Sequence, residues 1–501
     1  MPSSRPWFVV CVLGWLIVIL GLGCSPETKT ESESEASVSP AHSAVTSTPD
    51  RSSLTNEVAP TITTWPDPGS VTADPLEWNR RTLAQSYRQY GRKDAAWDEA
   101  AMNALEGFAQ QRAKTSTNAP SQGSEWTRKA MEAGCTDPMV GYLALRVLYG
   151  GWADADADRA TRYRGAAEAL AASEYPGIRK FYAWLRAAQA WKAAHGSVKG
   201  AGGVYGPMRR EAFRALTGVL QTADTPEGEA LEALEQFVEE LASHSHQEDE
   251  LLPTVNDYLT KRWPGSPRAL TLRGRNHVAL AWNRRGGKYA DDVREAGWSG
   301  FNAHLEAAEQ VLEASWKLDA TRVETALAMM RVELGQGRGR MRMEMWFDRA
   351  MKLDPACYEA VQNKAWYLQP KWHGSEEQVL AFGRRCVAAK EWRGRVPLML
   401  VDVHVMLATE RTTGLQEKHW TQPGVWEDVR ASFERFFELN PEATGWFHNY
   451  AYHAYQCRAY DVFLELLPKL GTVNEAYFGG HDAFEGMIQT AEKATGRKAV
   501  R

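Results

Sequence analysis

Phe347-Asp348-Arg349-Ala350-Met351-Lys352-Leu353-Asp354-Pro355 is the stretch that decides the fold. Phe347, Ala350 and Leu353 recur at three-residue steps, the near side of a helical face. Asp-Pro then punctuates the chain, because proline cannot continue a helix but suits the first position of the next one. The same step occurs at Leu318-Asp319-Ala320, 35 residues earlier, and again at Leu439-Asn440-Pro441, 86 residues later. The first spacing fits a pair of helices and the second is no clean multiple of it, so the sequence predicts a repeat that is real but irregular.

Working outward, a capping residue followed by proline marks further helix starts at Asp74-Pro75, Asp137-Pro138, Thr225-Pro226 and Ser266-Pro267, and the same reading extends to Asp354-Pro355 and Asn440-Pro441. The side-chain oxygen accepts an orphan backbone N–H and the proline has none to leave unpaired. Thr321-x-x-Glu324 and Ser375-x-x-Gln378 read as capping boxes. Between these marks run apolar stripes of helical period: Leu231, Leu234, Val238 and Leu241; Phe301, Leu305, Ala308, Leu312 and Trp316; Trp426, Val429, Phe433, Phe436 and Phe437. No stretch alternates as a strand does. The expected fold is all-α, an irregular array of antiparallel helix pairs, with an N-terminal helical region over 75–265 and a repeat-like one over 266–501. Phe347 to Pro355 resembles the second helix and exit turn of a tetratricopeptide repeat, which implies a tetratricopeptide-like α-solenoid.

A second resemblance rests on Ala281-Trp282-Asn283-Arg284-Arg285-Gly286-Gly287, Gly297-Trp298, Phe301 and Pro370-Lys371-Trp372-His373-Gly374-Ser375, with Gly134-Cys135-Thr136-Asp137-Pro138 upstream. Over roughly Glu125 to Val387 the chain resembles a bacterial helical family known only as a domain of unknown function. That resemblance implies a tetratricopeptide-like fold and no defined activity.

The first residues set the compartment. Arg5, an apolar run from Trp7 to Gly23, and Cys24 have the layout of an export signal over 1–24. Leu20-Gly21-Leu22-Gly23-Cys24 resembles the lipobox of bacterial lipoproteins, with Gly21 where that pattern usually has Leu. The resemblance implies lipid attachment at Cys24 and a place in the cell envelope, in the outer membrane facing the periplasm or the surface. An uncleaved signal anchor and simple secretion are the other readings. Residues 25–74 are rich in Ser, Thr, Glu and Pro. Such a segment buries too little apolar surface to offset its ordering entropy, so a disordered tether is expected, spanning roughly 40 Å on average. Cys135, Cys357, Cys386 and Cys457 remain; buried free thiols are expected, with Cys357 and Cys386 the pair most suited to a disulfide if one forms.

A net charge of −5 over 501 residues gives no basic face for nucleic acid. The usual catalytic signatures are missing: no Gly-x-Ser-x-Gly, His-Glu-x-x-His, Walker lysine or Cys-x-x-Cys occurs. Gly335-Gln336-Gly337-Arg338-Gly339 follows a helix rather than a strand, so it and Gly200 to Gly206 read as loops. His244-Ser245-His246-Gln247-Glu248-Asp249-Glu250 reads as a solvated turn, and His448 and His453 do not share a helix face. No metal or cofactor is expected. The best candidate surface joins two loops through Trp282, Arg285, Lys371, Trp372 and His373, an aromatic and basic rim suited to an anionic or peptide ligand. The expected function is a non-enzymatic scaffold that binds protein or peptide. The alternatives are an α/α-toroid enzyme acting on polysaccharide, for which 20 Trp and many carboxylates are apt, and a binder of solutes or cell-wall fragments.

Overall fold

The computed structural model describes residues 74–113, 119–149, 152–153, 155–196, 202–222, 225–242, 248–287, 290–411 and 415–500. The expected export signal with Cys24 and the expected tether up to residue 73 lie outside these residues, as do His244 and His246 and the side chains of Glu248, Asp249 and Glu250. The described chain is all-α, without a strand. No helix in it is long and apolar enough to cross a membrane. It forms two compact units that divide at Ala269 and Leu270.

The N-terminal unit runs through α1 (Pro75–Arg80), α2 (Ser86–Tyr90), α3 (Asp98–Arg112), α4 (Ala119–Glu132), α5 (Pro138–Val147), α6 (Ala157–Ala171), α7 (Gly177–His195), α8 (Gly202–Leu220), α9 (Glu227–Ala242) and α10 (Glu248–Arg262), ending within α11 (Pro267–Arg285). A π-turn, Arg81–Gln85, joins α1 to α2. From α3 to α10 successive helices pack on one another, α1 packs on α3, and α9 also reaches α7. The caps are as expected at Asp74, whose carboxylate accepts from Glu77 N (2.8 Å), and at Asp137, which accepts from Met139 N and Val140 N (2.9 and 3.1 Å). Ser266 Oγ likewise accepts from Ala269 N at 3.2 Å. The glycine run expected as a loop instead opens α8 at Gly202, because the helix begins five residues before Pro207 and leaves that ring in the first turns.

The C-terminal unit continues with α12 (Glu295–Leu318), α13 (Val323–Gln336), α14 (Arg340–Leu353), α15 (Tyr358–Tyr367), α16 (Glu376–Ala388), α17 (Met399–Thr409), α18 (Gln416–Trp420), α19 (Val425–Leu439), α20 (Phe447–Gln456), α21 (Tyr460–Leu466) and α22 (His481–Thr495). Here the pairing is that of a repeat array. α12 packs on α13, α14 on α15 and α16 on α17, while α13, α15 and α17 also touch in series as an inner row. The stripe Phe301, Leu305, Ala308 and Leu312 is buried, as is Val429, Phe433 and Phe436. Close approach is set by small residues: a Cβ at Gly335 would lie 2.5 Å from Leu305 Cδ1 and 2.8 Å from Phe301 Cζ. Three buried hydroxyls, Thr271, Ser315 and Thr325, tie α11, α12 and α13 together at 2.7–3.4 Å. From Thr325 to Leu334, α13 is buried at every residue but Arg331.

Three expected helix starts are corrected. Asp354 closes α14, with φ −137° and ψ 98°, and its carboxylate accepts from Ala356 N at 2.9 Å; α15 begins only at Tyr358. Thr321 is no cap, since its hydroxyl donates to Asp319 at 2.6 Å and α13 starts two residues later. Asn440 ends α19 and donates to Phe436 O and to Gly394 O. In each case the side chain satisfies a turn after a helix, which draws on the same residue types as a cap before one. The Leu of each Leu-Asp step marks register rather than core, for Leu318 is 59% and Leu353 38% exposed. Cys135, Cys357, Cys386 and Cys457 are free thiols, the first three buried.

Candidate functional site

The structure unites part of the candidate rim. Trp282 sits in the last turn of α11, where Gly286 N caps Trp282 O at 2.9 Å with Gly286 at φ +72°. Trp372 sits in the turn between α15 and α16. That turn is closed by Trp372 N and Gly374 N, both donating to Gln369 O, and by Ser375 Oγ, which accepts from Gln378 N. It requires Gly374, where a Cβ would strike Leu368 O. The two indoles meet edge to face, centroids 5.5 Å apart. The Arg285 guanidinium lies over Trp282, Trp372 and Trp298 at 5.8, 5.6 and 5.4 Å, and burial lowers its pKa. Trp298, from the first turn of α12, is the fourth member.

Lys371 and His373 point elsewhere. Lys371 Nζ lies 4.4 Å above the Trp366 ring and pairs with Glu410. His373 Nε2 meets Leu334 O at 2.8 Å, and its ring rests on Tyr367. Consecutive residues in a tight turn splay apart, so the turn pins three elements instead of presenting one basic edge. The Nε1 atoms of Trp282 and Trp372 are buried without a hydrogen-bond partner.

A second surface was not singled out by the sequence. Met341 is 87% and Met345 37% exposed, one turn apart on α14. With Arg340, Glu344, Asp348, Arg349 and Lys352 they line a shallow groove of about 710 Å³. A second groove shares Asp348 and Lys352 and runs on to Arg385 and Trp392. One lining residue is braced from beneath: the Arg349 guanidinium lies over Trp316 and Trp346, which meet edge to face at 5.3 Å. Glu344 is held by Arg340 at 3.2 Å and by buried Lys364, whereas Asp348 and Lys352 form no ion pair among the described residues. A helix surface carries such methionines only at a cost in solubility, and flexible thioethers adapt to many apolar shapes.

The sequence also missed a polar chain that runs from the surface into the C-terminal unit. Arg384 holds the Asp428 carboxylate with two nitrogens (2.9–3.1 Å). Asp428 meets His404 Nε2 at 3.2 Å, and His404 Nδ1 meets His419 Nε2 at 3.1 Å. Burial pushes His419 down to about 4. His453, under Trp420, is pushed to about 4 for the same reason. His481, which lacked an evident partner in the sequence, meets Glu475 at 3.0 Å. Among the described residues no three His, Cys, Asp or Glu side chains are placed to hold a metal ion.

No family model and no curated protein sequence matches this chain. Its fold therefore rests on its own geometry.

Proposed function

We propose that this chain is an envelope-anchored, helical-repeat scaffold that docks a helix of a partner protein along the exposed face of α14. The observation that carries this reading is the outward Met341 and Met345 pair, beside an Arg349 guanidinium stacked on two tryptophans. The occupant is an amphipathic helix: its apolar stripe covers the methionines, a basic side chain meets Asp348 and an acidic one meets Lys352. Paired helices supply the stiff support, and lipid at Cys24 followed by a long tether would hold this face away from a membrane.

A photoreactive amino acid at Met345 tests it in the producing cell. One discrete adduct is expected, with the crosslink in a helix of the stated pattern. It disappears with Met341→Glu, while the variant keeps its thermal midpoint. Adducts that persist in Met341→Glu, or that join only two copies of this chain, overturn the proposal.

A further inference from the structure

One face of α7 carries Arg179, Tyr182, Arg186 and Gln189, at steps of three, four and three residues. One face of α9 carries Glu229, Glu232 and Gln236, at steps of three and four. These two stripes meet inside the N-terminal unit in a continuous polar seam. Arg112, at the end of α3, bonds Glu229 at 3.0 Å, Glu232 at 2.9 Å and the Tyr182 hydroxyl at 3.1 Å. Asn79 Nδ2 donates to Glu229 at 2.9 Å, while Asn79 Oδ1 and Thr82 Oγ1 each accept from Arg179 Nη2 at 2.6 Å. Gln236 donates to Glu232 at 3.0 Å and accepts from Arg186. Arg146, bonded to the Tyr142 hydroxyl at 3.1 Å, lies within electrostatic reach of Arg112 and Arg186.

The charge count is uneven. Four guanidiniums (Arg112, Arg146, Arg179 and Arg186) share two bonded carboxylates. Arg179 is 2% and Arg186 9% exposed, yet among the described residues their hydrogen bonds go to neutral amides and a hydroxyl and their guanidiniums face the Trp78 and Trp152 rings at 5.5 and 4.9 Å, so neither bonds a carboxylate. Burial lowers both to about 10, so they stay charged at neutral pH. The Nε atoms of Arg112, Arg179 and Arg186 are buried and unpartnered. A purely structural ion-pair network would match its charges, because an uncompensated buried cation is strongly destabilising.

We propose that this arginine seam binds a phosphate-class oxyanion, either inorganic phosphate or the phosphate of a monoester. Planar guanidinium forks fit such oxygens two at a time, and a dianion balances the excess of two positive charges.

The test uses the full chain, purified in detergent and freed of phosphate. It is titrated calorimetrically with inorganic phosphate and, separately, with glycerol phosphate, at constant chloride. Saturable binding to one site with a raised thermal midpoint is expected, and whichever probe binds tells free from esterified phosphate. Arg186→Gln is expected to weaken binding roughly 30-fold, the loss of one charge-assisted contact. Glu232→Gln, nearly isosteric, increases the positive excess and is expected to tighten it. Should Arg186→Gln fail to fold, the Glu232→Gln arm decides alone: affinity unchanged or weakened overturns the proposal. So does the absence of saturable binding by both probes, or binding indifferent to both substitutions.

Discussion

Trp282 and Trp372 meet edge to face with centroids 5.5 Å apart, and the same two rings flank the Arg285 guanidinium. This joins the end of α11 to the turn before α16, two places far apart in the chain. Trp372→Ala removes the ring contact and one side of the cation–π stack, and is expected to cost about 3 kcal/mol in denaturant unfolding. Trp372→Phe should recover about half. The Lys371→Ala change should cost under about 1 kcal/mol, since its pair with Glu410 is partly exposed.

Glu344 and Lys364 form an ion pair whose two halves are not equivalent. Lys364 is 2% exposed, above the Phe347 and Phe382 rings, and Glu344 is its one acidic partner in an ion pair among the described residues. Glu344→Ala strands a buried ammonium and should cost about 3 kcal/mol. Lys364→Met leaves Glu344 with Arg340 and should be near neutral. Paired urea denaturation of the two variants reads the asymmetry; equal losses would contradict it.

Stability should fall in mild acid. His277, His419 and His453 are each pushed by burial to about 4 from the ordinary 6.5. A group with a depressed folded pKa favours folding above its unfolded value, here 6.5, and that contribution is lost as pH falls toward 4. The thermal midpoint should therefore drop across pH 6.5 to 4. His453→Phe should flatten that slope, since the ring sits among Trp420, Phe433 and Tyr452 rather than beside a carboxylate.

The helices and their pairing were legible because amphipathic period and caps are local signals. Three caps were misplaced because Thr321 (bonded to Asp319), Asp354 and Asn440 hold turns with the chemistry that would also start a helix. Trp282, Arg285 and Trp372 stood out in the sequence as aromatic and basic residues near predicted helix ends, although Trp282 and Arg285 lie in the last turn of α11 and not in the loop expected there. Lys371 and His373 could not be separated from them, since side-chain direction in a tight turn depends on backbone angles. The arginine seam was hidden for another reason: Arg179, Arg186, Glu229 and Glu232 at helical spacing look like a solvated face. His404 and Asp428 meet across separate helices with no shared spacing at all.

Lipid attachment at Cys24 is open to direct test. With Cys24 intact, labelled fatty acid is expected in the protein and the chain should sediment with membranes. Cys24→Ala should abolish the label and release the chain, while circular dichroism of the helical region stays unchanged. Label in the variant would remove the anchor.

Stacked repeats that touch only their neighbours can come apart one at a time from an end. The enclosure of α13, pressed by α12, α14 and α15 and pinned through Thr325 to α11, forbids that here. Its removal would strip the cover from several partners together. The C-terminal unit should thus melt as one block, and truncations that cut into α13 should give aggregates, not shorter working arrays.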